Sequence, residues 1–110
     1  MDNCLFCNII AGKISAKFVY ESDKLVVFPD INPAADIHLL IVPREHIGGI
    51  GEIGEDMGEL LTQVYNVADK LVEENNLKDN SYRVLVNGGK AQHVPHLHFH
   101  LLGGNWHKFV

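Results

Sequence analysis

Only two cysteines, Cys4 and Cys7, occur among 110 residues, which excludes a disulfide framework as the basis of the fold. Cations are also scarce. Nine Lys and Arg against fourteen Asp and Glu give a formal net charge of -5. Binding to a nucleic-acid backbone depends on Lys and Arg releasing counterions, so a general nucleic-acid binder is excluded. A phosphate-bearing ligand would have to be held by neutral donors. No apolar run approaches the ~18 residues that span a bilayer, so no membrane role is expected. The opening MDNCLFCNII has neither the basic start nor the long apolar stretch of a secretory signal, and a cytoplasmic location is expected. There is no internal repeat, linker or low-complexity tract. With 46% apolar and 21% charged residues, the chain reads as a single domain over residues 1–110 with one hydrophobic core.

What the chain does have is a run of alternating histidines, HVPHLHFHLLGG. Residues two apart on a β-strand share a face. His96, His98 and His100 would therefore line one side while Leu97, Phe99 and Leu101 line the other. Thr, Ser or Lys would serve a merely solvated face, whereas a neutral imidazole is useful as nucleophile, proton carrier or metal ligand. The two cysteines form a CxxC pair, which in a reducing compartment points to metal ligation or redox chemistry. A thioredoxin-type motif would follow a strand and open a long helix, so zinc is the better match. Tetrahedral zinc needs two more ligands, for which His46, His93 and His96 are candidates. The alternative is two small buried thiols with no metal.

Phe18 to Glu21 and Leu25 to Phe28 read as strands joined by a turn at Ser22 and Asp23, and Leu39 to Val42 as a buried third. Met57, Leu60, Leu61, Val64, Ala68, Leu71 and Val72 recur at helical spacing. Glu55, Asp56 and Glu59 lie near the start, where the helix dipole favours acids. The helix should stop around Asn75 and Asn76, followed by strands from Arg83 to Asn87 and from His96 to Leu102. Tight turns and one long helix predict an α+β fold: a five-stranded antiparallel sheet with the long helix packed on it and a short N-terminal helix. Gly49, Gly51 and Gly54 spell GxGxxG before the long helix. They stand well beyond the preceding strand, and the chain cannot supply a doubly wound parallel sheet, so a flexible loop is expected instead of a dinucleotide site.

Taken together, the sequence resembles the histidine triad family, in its histidine triad nucleotide-binding (Hint-type) branch. The resemblance rests on HLHFHLLGG from His96 to Gly104, a pattern of histidines alternating with apolar residues. It is supported by CLFCNIIAGKISAKFVYESDKLVVFPDINP, by HLLIVPREH and by Asn87 and Gln92 ahead of the triad, and it extends from Cys4 to Trp106.

The resemblance implies a purine nucleotide site. Asp30 would accept from the ribose hydroxyls, with Phe28 and Ile31 completing the base and sugar pocket. Asn87 and Gln92 would approach the α-phosphate, His98 matches the nucleophile, and His100 would contact the phosphate and the leaving-group side. Cys4, Cys7, His46 and His96 would match the zinc ligands of bacterial-type members, the metal serving structure and not catalysis. A homodimer is implied, joined through the long helix and the adjacent strand into a ten-stranded sheet, and exposed strand edges on so small a sheet agree with it. The implied activity is hydrolysis of nucleoside phosphoramidates, or related AMP or GMP conjugates, at the α-phosphorus.

Such chemistry requires a neutral His98 imidazole whose other nitrogen keeps its proton against a fixed acceptor such as a backbone carbonyl. Charge on the phosphate would be met by His100, Asn87, Gln92 and the N–H groups of Gly88 to Ala91, with Lys90 as a possible addition. Two other readings stay open at this point: a non-catalytic nucleotide-binding regulatory module, and a metalloenzyme whose triad itself binds zinc, which would leave Cys4 and Cys7 without partners. The sequence departs from the branch pattern between Asn87 and Gln92, where the loop is about two residues shorter than usual. Ala91 replaces a usual glycine, and His93 replaces a small hydroxyl residue and is placed with the nucleotide-binding set as a phosphate contact. His38 is expected to satisfy only a local hydrogen bond, and His107 to lie in a mobile tail.

Overall fold

In the computed structural model of the protein, residues 3–108 and 110 are described. A short helix α1 (Leu5–Ile10) precedes strands β1 (Tyr20–Glu21), β2 (Leu25–Pro29) and β3 (Ala35–Pro43), the long helix α2 (Gly58–Glu74), and strands β4 (Tyr82–Val86) and β5 (Phe99–Trp106). The strands form one antiparallel sheet in the order β1-β2-β3-β5-β4. Among the described residues no helix is long and apolar enough to cross a membrane.

The period of two in the sequence decides what each face of the sheet packs against. Leu25 and Val27, Leu39 and Ile41, and Phe99 and Leu101 face α2, meeting Val64, Val67, Ala68, Leu71 and Val72 in the main core. The alternate residues Val26, Phe28, Leu40 and Val42 face the other way and pack with Cys4, Phe6 and Ile9 of the N-terminal segment. His98 and His100 belong to this second face. α2 ends where two asparagines were expected to end it: Asn76 takes a left-handed φ of 57°, and the Leu77 N–H returns to the Val72 carbonyl at 2.8 Å.

The expected strands shift in informative ways. The first is shorter, starting at Tyr20, and the fourth runs one residue earlier than expected. The third extends over nine residues to include His38. The last begins at Phe99, so His96 and His98 lie on the approach to the strand and not within it. Pro43, opposite this approach, has no N–H to continue the ladder, and Pro95 opens it. At the other end β5 continues past Leu102 because the glycine pair absorbs an irregularity. Ile37 pairs with Gly103 while Ala35 pairs with Trp106, and Gly104 sits at φ 82°. Of the GxGxxG residues, Gly51 lies in a short 3-10 turn, Ile50–Glu52, while Gly49 caps that turn and Gly54 caps the next, Glu55–Met57, which leads into α2 in place of the expected flexible loop. None of the three glycines has positive φ.

Gly103 has a packing reason to be glycine. A Cβ there would collide with the side chain of Leu77, which is buried at 2% exposure. Gly103→Ala is therefore expected to destabilise the fold by about 1–3 kcal/mol through overpacking. Urea denaturation checks this, and an unchanged midpoint would show that Leu77 can move aside.

Candidate active site

The three histidines of the run have three separate partners. His98 Nδ1 lies 2.7 Å from the His96 carbonyl oxygen. A carbonyl only accepts, so Nδ1 carries the proton and Nε2 keeps its lone pair. This is the tautomer that nucleophilic attack requires.

His100 is oriented by His38. The Ala34 N–H donates to His38 Nδ1 at 2.9 Å, which leaves the His38 proton on Nε2. That nitrogen donates to His100 Nδ1 at 2.8 Å, which places the His100 proton on Nε2. His100 Nε2–H is a buried donor with no partner among the described protein atoms. His38 thus does more than satisfy a local hydrogen bond: it fixes which His100 nitrogen presents a proton. Its Nε2 also lies 3.5 Å from Asp30 Oδ2.

Burial lowers the proton affinity of His38, His96 and His98. For His100 burial, reinforced by His98 and His38, pushes the pKa down to about 4. These imidazoles are neutral at neutral pH, as a nucleophile and a set of oriented donors must be.

A cavity of about 860 Å³ opens over His98 and His100. Of the residues expected at the nucleotide, Phe28, Asp30, Ile31, His93, His98 and His100 line it, while Asn87 and Gln92 do not. The Gln92 amide instead donates to the Gly48 carbonyl at 2.8 Å. Asn87 Nδ2 is buried without a partner among the described atoms. Lys90 is on the 3-10 turn Gly89–Ala91 and also lies outside the cavity wall. Ala91 is not strained, because the left-handed residue of the shortened loop is Gly89, at φ 58°.

Sequence reasoning named Phe28 and Ile31 but missed the rest of the apolar wall. Leu5, Phe6, Ile9 and Ile14 line the cavity, and Ile31 is 91% exposed at it. Exposed apolar side chains around a cavity mark a binding surface. The apolar residues within and after the CxxC pair were the available signal. The Phe6 ring stands edge-on to His98 at 4.9 Å and to Phe28 at 5.5 Å.

A second cluster lies beside the first. Cys4 Sγ and Cys7 Sγ are 3.4 and 3.6 Å from His96 Nδ1, and Cys7 Sγ is 3.3 Å from His46 Nδ1. The His96 Nε2–H donates to the Pro43 carbonyl at 2.8 Å, so Nδ1 offers its lone pair to the sulfurs. Two thiolates and two imidazoles around tetrahedral zinc stand with S···N edges of about 3.6 Å, so this donor set fits that ion. Burial, with the Cys4 sulfur adding to it, raises the Cys7 thiol above its ordinary value, so a cation here would displace protons. Asp30, His38 and His100 also gather their ligand atoms. The 2.8 Å between the two nitrogens, however, is a hydrogen bond, shorter than the about 3.3 Å edge on one tetrahedral zinc. Because His96 turns to the sulfurs, His98 to its own backbone and His100 to His38, the triad does not converge on one cation. This arrangement does not favour the metalloenzyme reading.

His93 is exposed and joins the cavity, not the sulfur cluster. His107 is tethered and remote, its Nε2 lying 3.1 Å from Asp36 Oδ1.

Comparisons with known proteins agree with this fold. The family model described as "Scavenger mRNA decapping enzyme C-term binding" matches residues 3–108. Protein HitA of Neisseria gonorrhoeae is 39% identical over 94% of this chain and 97% of its own length. The purine nucleoside phosphoramidase of Escherichia coli K12 is 32% identical over 94% of this chain and 88% of its own. Among solved structures, a HIT family hydrolase from Clostridium thermocellum superposes with a TM-score of 0.90 at 39% identity, covering 96% of this chain and 93% of that one.

The buried histidines predict an acid-sensitive fold. An unfolded histidine takes up its proton near pH 6.5, whereas His100 in the folded chain resists until about pH 4. Between those values the unfolded state binds more protons, so stability is full above the upper one and is lost as pH falls. The 3% exposure of His100 makes the loss from this residue about 3 kcal/mol in order of magnitude. Urea midpoints from pH 7.5 to 4 should fall steeply, and less steeply in His100→Gln. Parallel slopes would contradict the assignment.

Proposed function

This chain belongs to the histidine triad family of hydrolases, and from that premise we propose that it cleaves purine nucleoside phosphoramidates or related AMP or GMP conjugates at the α-phosphorus. The observation that carries this reading is the pairing of tautomers: a lone pair on His98 Nε2 and a proton on His100 Nε2, both at one cavity. The 32% identity with a purine nucleoside phosphoramidase supports the substrate class.

In the proposed reaction the base lies against Phe6, Phe28 and Ile31, and Asp30 accepts from the ribose hydroxyls. His98 Nε2 attacks phosphorus and the bond to the leaving group breaks, giving a nucleotidyl-histidine that water later cleaves to the nucleoside monophosphate. The His98 Nδ1–H to carbonyl bond stabilises the charged imidazolium that forms. His100 Nε2–H donates to the phosphate as negative charge grows. Asn87 Nδ2, a buried donor, is the second candidate for that role; Gln92 would reach it only by releasing Gly48.

Cys4, Cys7, His46 and His96 would hold zinc as a structural ion that ties α1 to the approach of β5, and no step of the reaction runs through it. Incubation with an adenosine phosphoramidate tests both parts. Turnover should fall by more than ~10³-fold in His98→Ala and by about 10²–10³-fold in His100→Ala. A chelator should lower the melting temperature without acting on the chemical step at a temperature where the chain stays folded. Tight AMP binding by the unaltered protein without turnover would select the non-catalytic binding module instead.

We also propose a homodimer through α2 and the edge strand β4, where Tyr65 and Tyr82 are 55% and 48% exposed. Sedimentation should give twice the chain mass, shifting toward the monomer in a Tyr65→Glu, Tyr82→Glu double variant. A monomer at micromolar concentration would overturn this assembly.

A further inference from the structure

Resting on the nucleotidyl-transfer reading above, we infer that His93 is the general acid that protonates the departing group and then the general base that activates water.

The argument starts from a proton that must be found. When the P–N bond of a phosphoramidate breaks, its electron pair goes to nitrogen, and the amine leaves only with an added proton. The buried histidines cannot give one. His98 uses Nε2 as nucleophile, and its Nδ1–H is held by the His96 carbonyl. His100 has a proton on Nε2, but the chain behind it runs through His38 to the Ala34 backbone N–H. An amide does not resupply a proton, so that chain orients His100 and cannot relay protons through it. Loss of the His100 proton would leave an imidazolate in a buried site.

The other titratable groups facing this space are Lys17 ahead of β1, Asp30 after β2, Lys108 after β5 and His93. The Asp30 side chain acts as an acceptor, taking the Asn32 N–H at 2.8 Å. A lysine ammonium releases its proton reluctantly at neutral pH, whereas an imidazolium does so readily. His93 is the imidazole at the cavity that solvent can recharge, being exposed where His98 and His100 are 4% and 3% exposed.

Its placement follows from its neighbour. Gln92 has extended backbone, with ψ 124°, and spends its side chain on the Gly48 carbonyl. The next residue, His93, lines the cavity. It shares that cavity with His98 and His100. The small hydroxyl that the resemblance would place here has no comparable acid function at neutral pH.

The balance is complete. His98 Nε2 forms a bond to phosphorus as the P–N bond breaks, and the His93 imidazolium gives its proton to the amine. Neutral His93 then takes a proton from water as its oxygen bonds to phosphorus, and the P–Nε2 pair returns to His98.

The test compares two conjugates of the same nucleotide, one losing an alkylamine and one losing nitrophenolate, which needs no proton to depart. In His93→Ala, kcat/KM for the amine conjugate should fall by about 10²-fold or more. The nitrophenyl conjugate should keep the first, nucleotidyl-histidine-forming step nearly unchanged in a rapid-mixing burst. The alkaline decline of kcat/KM with the amine substrate should vanish in the variant, and added imidazole should restore amine turnover. Equal losses of the first step on both conjugates, or no loss of it on either, would overturn the inference. Failure of the unaltered protein to cleave either conjugate would instead overturn the functional reading beneath it.

Discussion

A single hydrogen bond, from His98 Nδ1–H to the carbonyl of His96, is the constraint on which the site depends. It is available because the β-ladder does not reach back to His96. In a regular strand that carbonyl would belong to the neighbouring strand's accounting of donors and acceptors. Pro43 and Pro95 interrupt the ladder just before His98, and the freed carbonyl is turned to orienting its side chain. The Pro43 carbonyl does the same for His96 from across the sheet. Proline here acts less as a strand breaker than as a source of unshared backbone acceptors.

The patterning that built the sheet was plain in the sequence. Alternation in HLHFHLL assigned two faces, the apolar runs LVVF and HLLIV were legible as strands, and helical spacing from Leu60 to Val72 marked α2, whereas which face α2 covers came from the structure. The segregation of His98 and His100 from Phe99 and Leu101 followed directly, as did the grouping of Cys4, Cys7, His46 and His96 once the family resemblance was applied. What escaped sequence reasoning were contacts whose partners lie far apart along the chain. His38 and His100 are separated by 62 positions, and a period-two pattern says that they share a face without saying that they touch. Gln92 was expected at phosphate but meets a glycine carbonyl 44 residues away, a bond for which composition offers no signal. The continuation of β5 beyond Leu102 depended on a glycine pair serving two purposes, a close approach at Gly103 and a left-handed turn at Gly104.

Electrostatics on this acidic chain work by neutrality. Burial keeps four of the seven histidines uncharged, and two of them, His98 and His100, present fixed tautomers at the cavity beside Lys17, Asp30 and Lys108. Neutral oriented donors suit a ligand whose charge develops during reaction, because they favour the later charge distribution without holding the substrate too firmly beforehand.

α1 has six residues, fewer than a helix needs to persist by itself in water. Its Cys4 Sγ receives the Cys7 N–H, while Leu5, Phe6 and Ile9 from the same turns form part of the cavity wall. One short segment therefore presents sulfur on one side and hydrocarbon on the other, and neither surface can be adjusted alone. A shift of backbone that moves Cys4 and Cys7 therefore also moves Phe6, whose ring stands edge-on to His98, so the sulfur cluster and the cavity wall rest on one mechanical support.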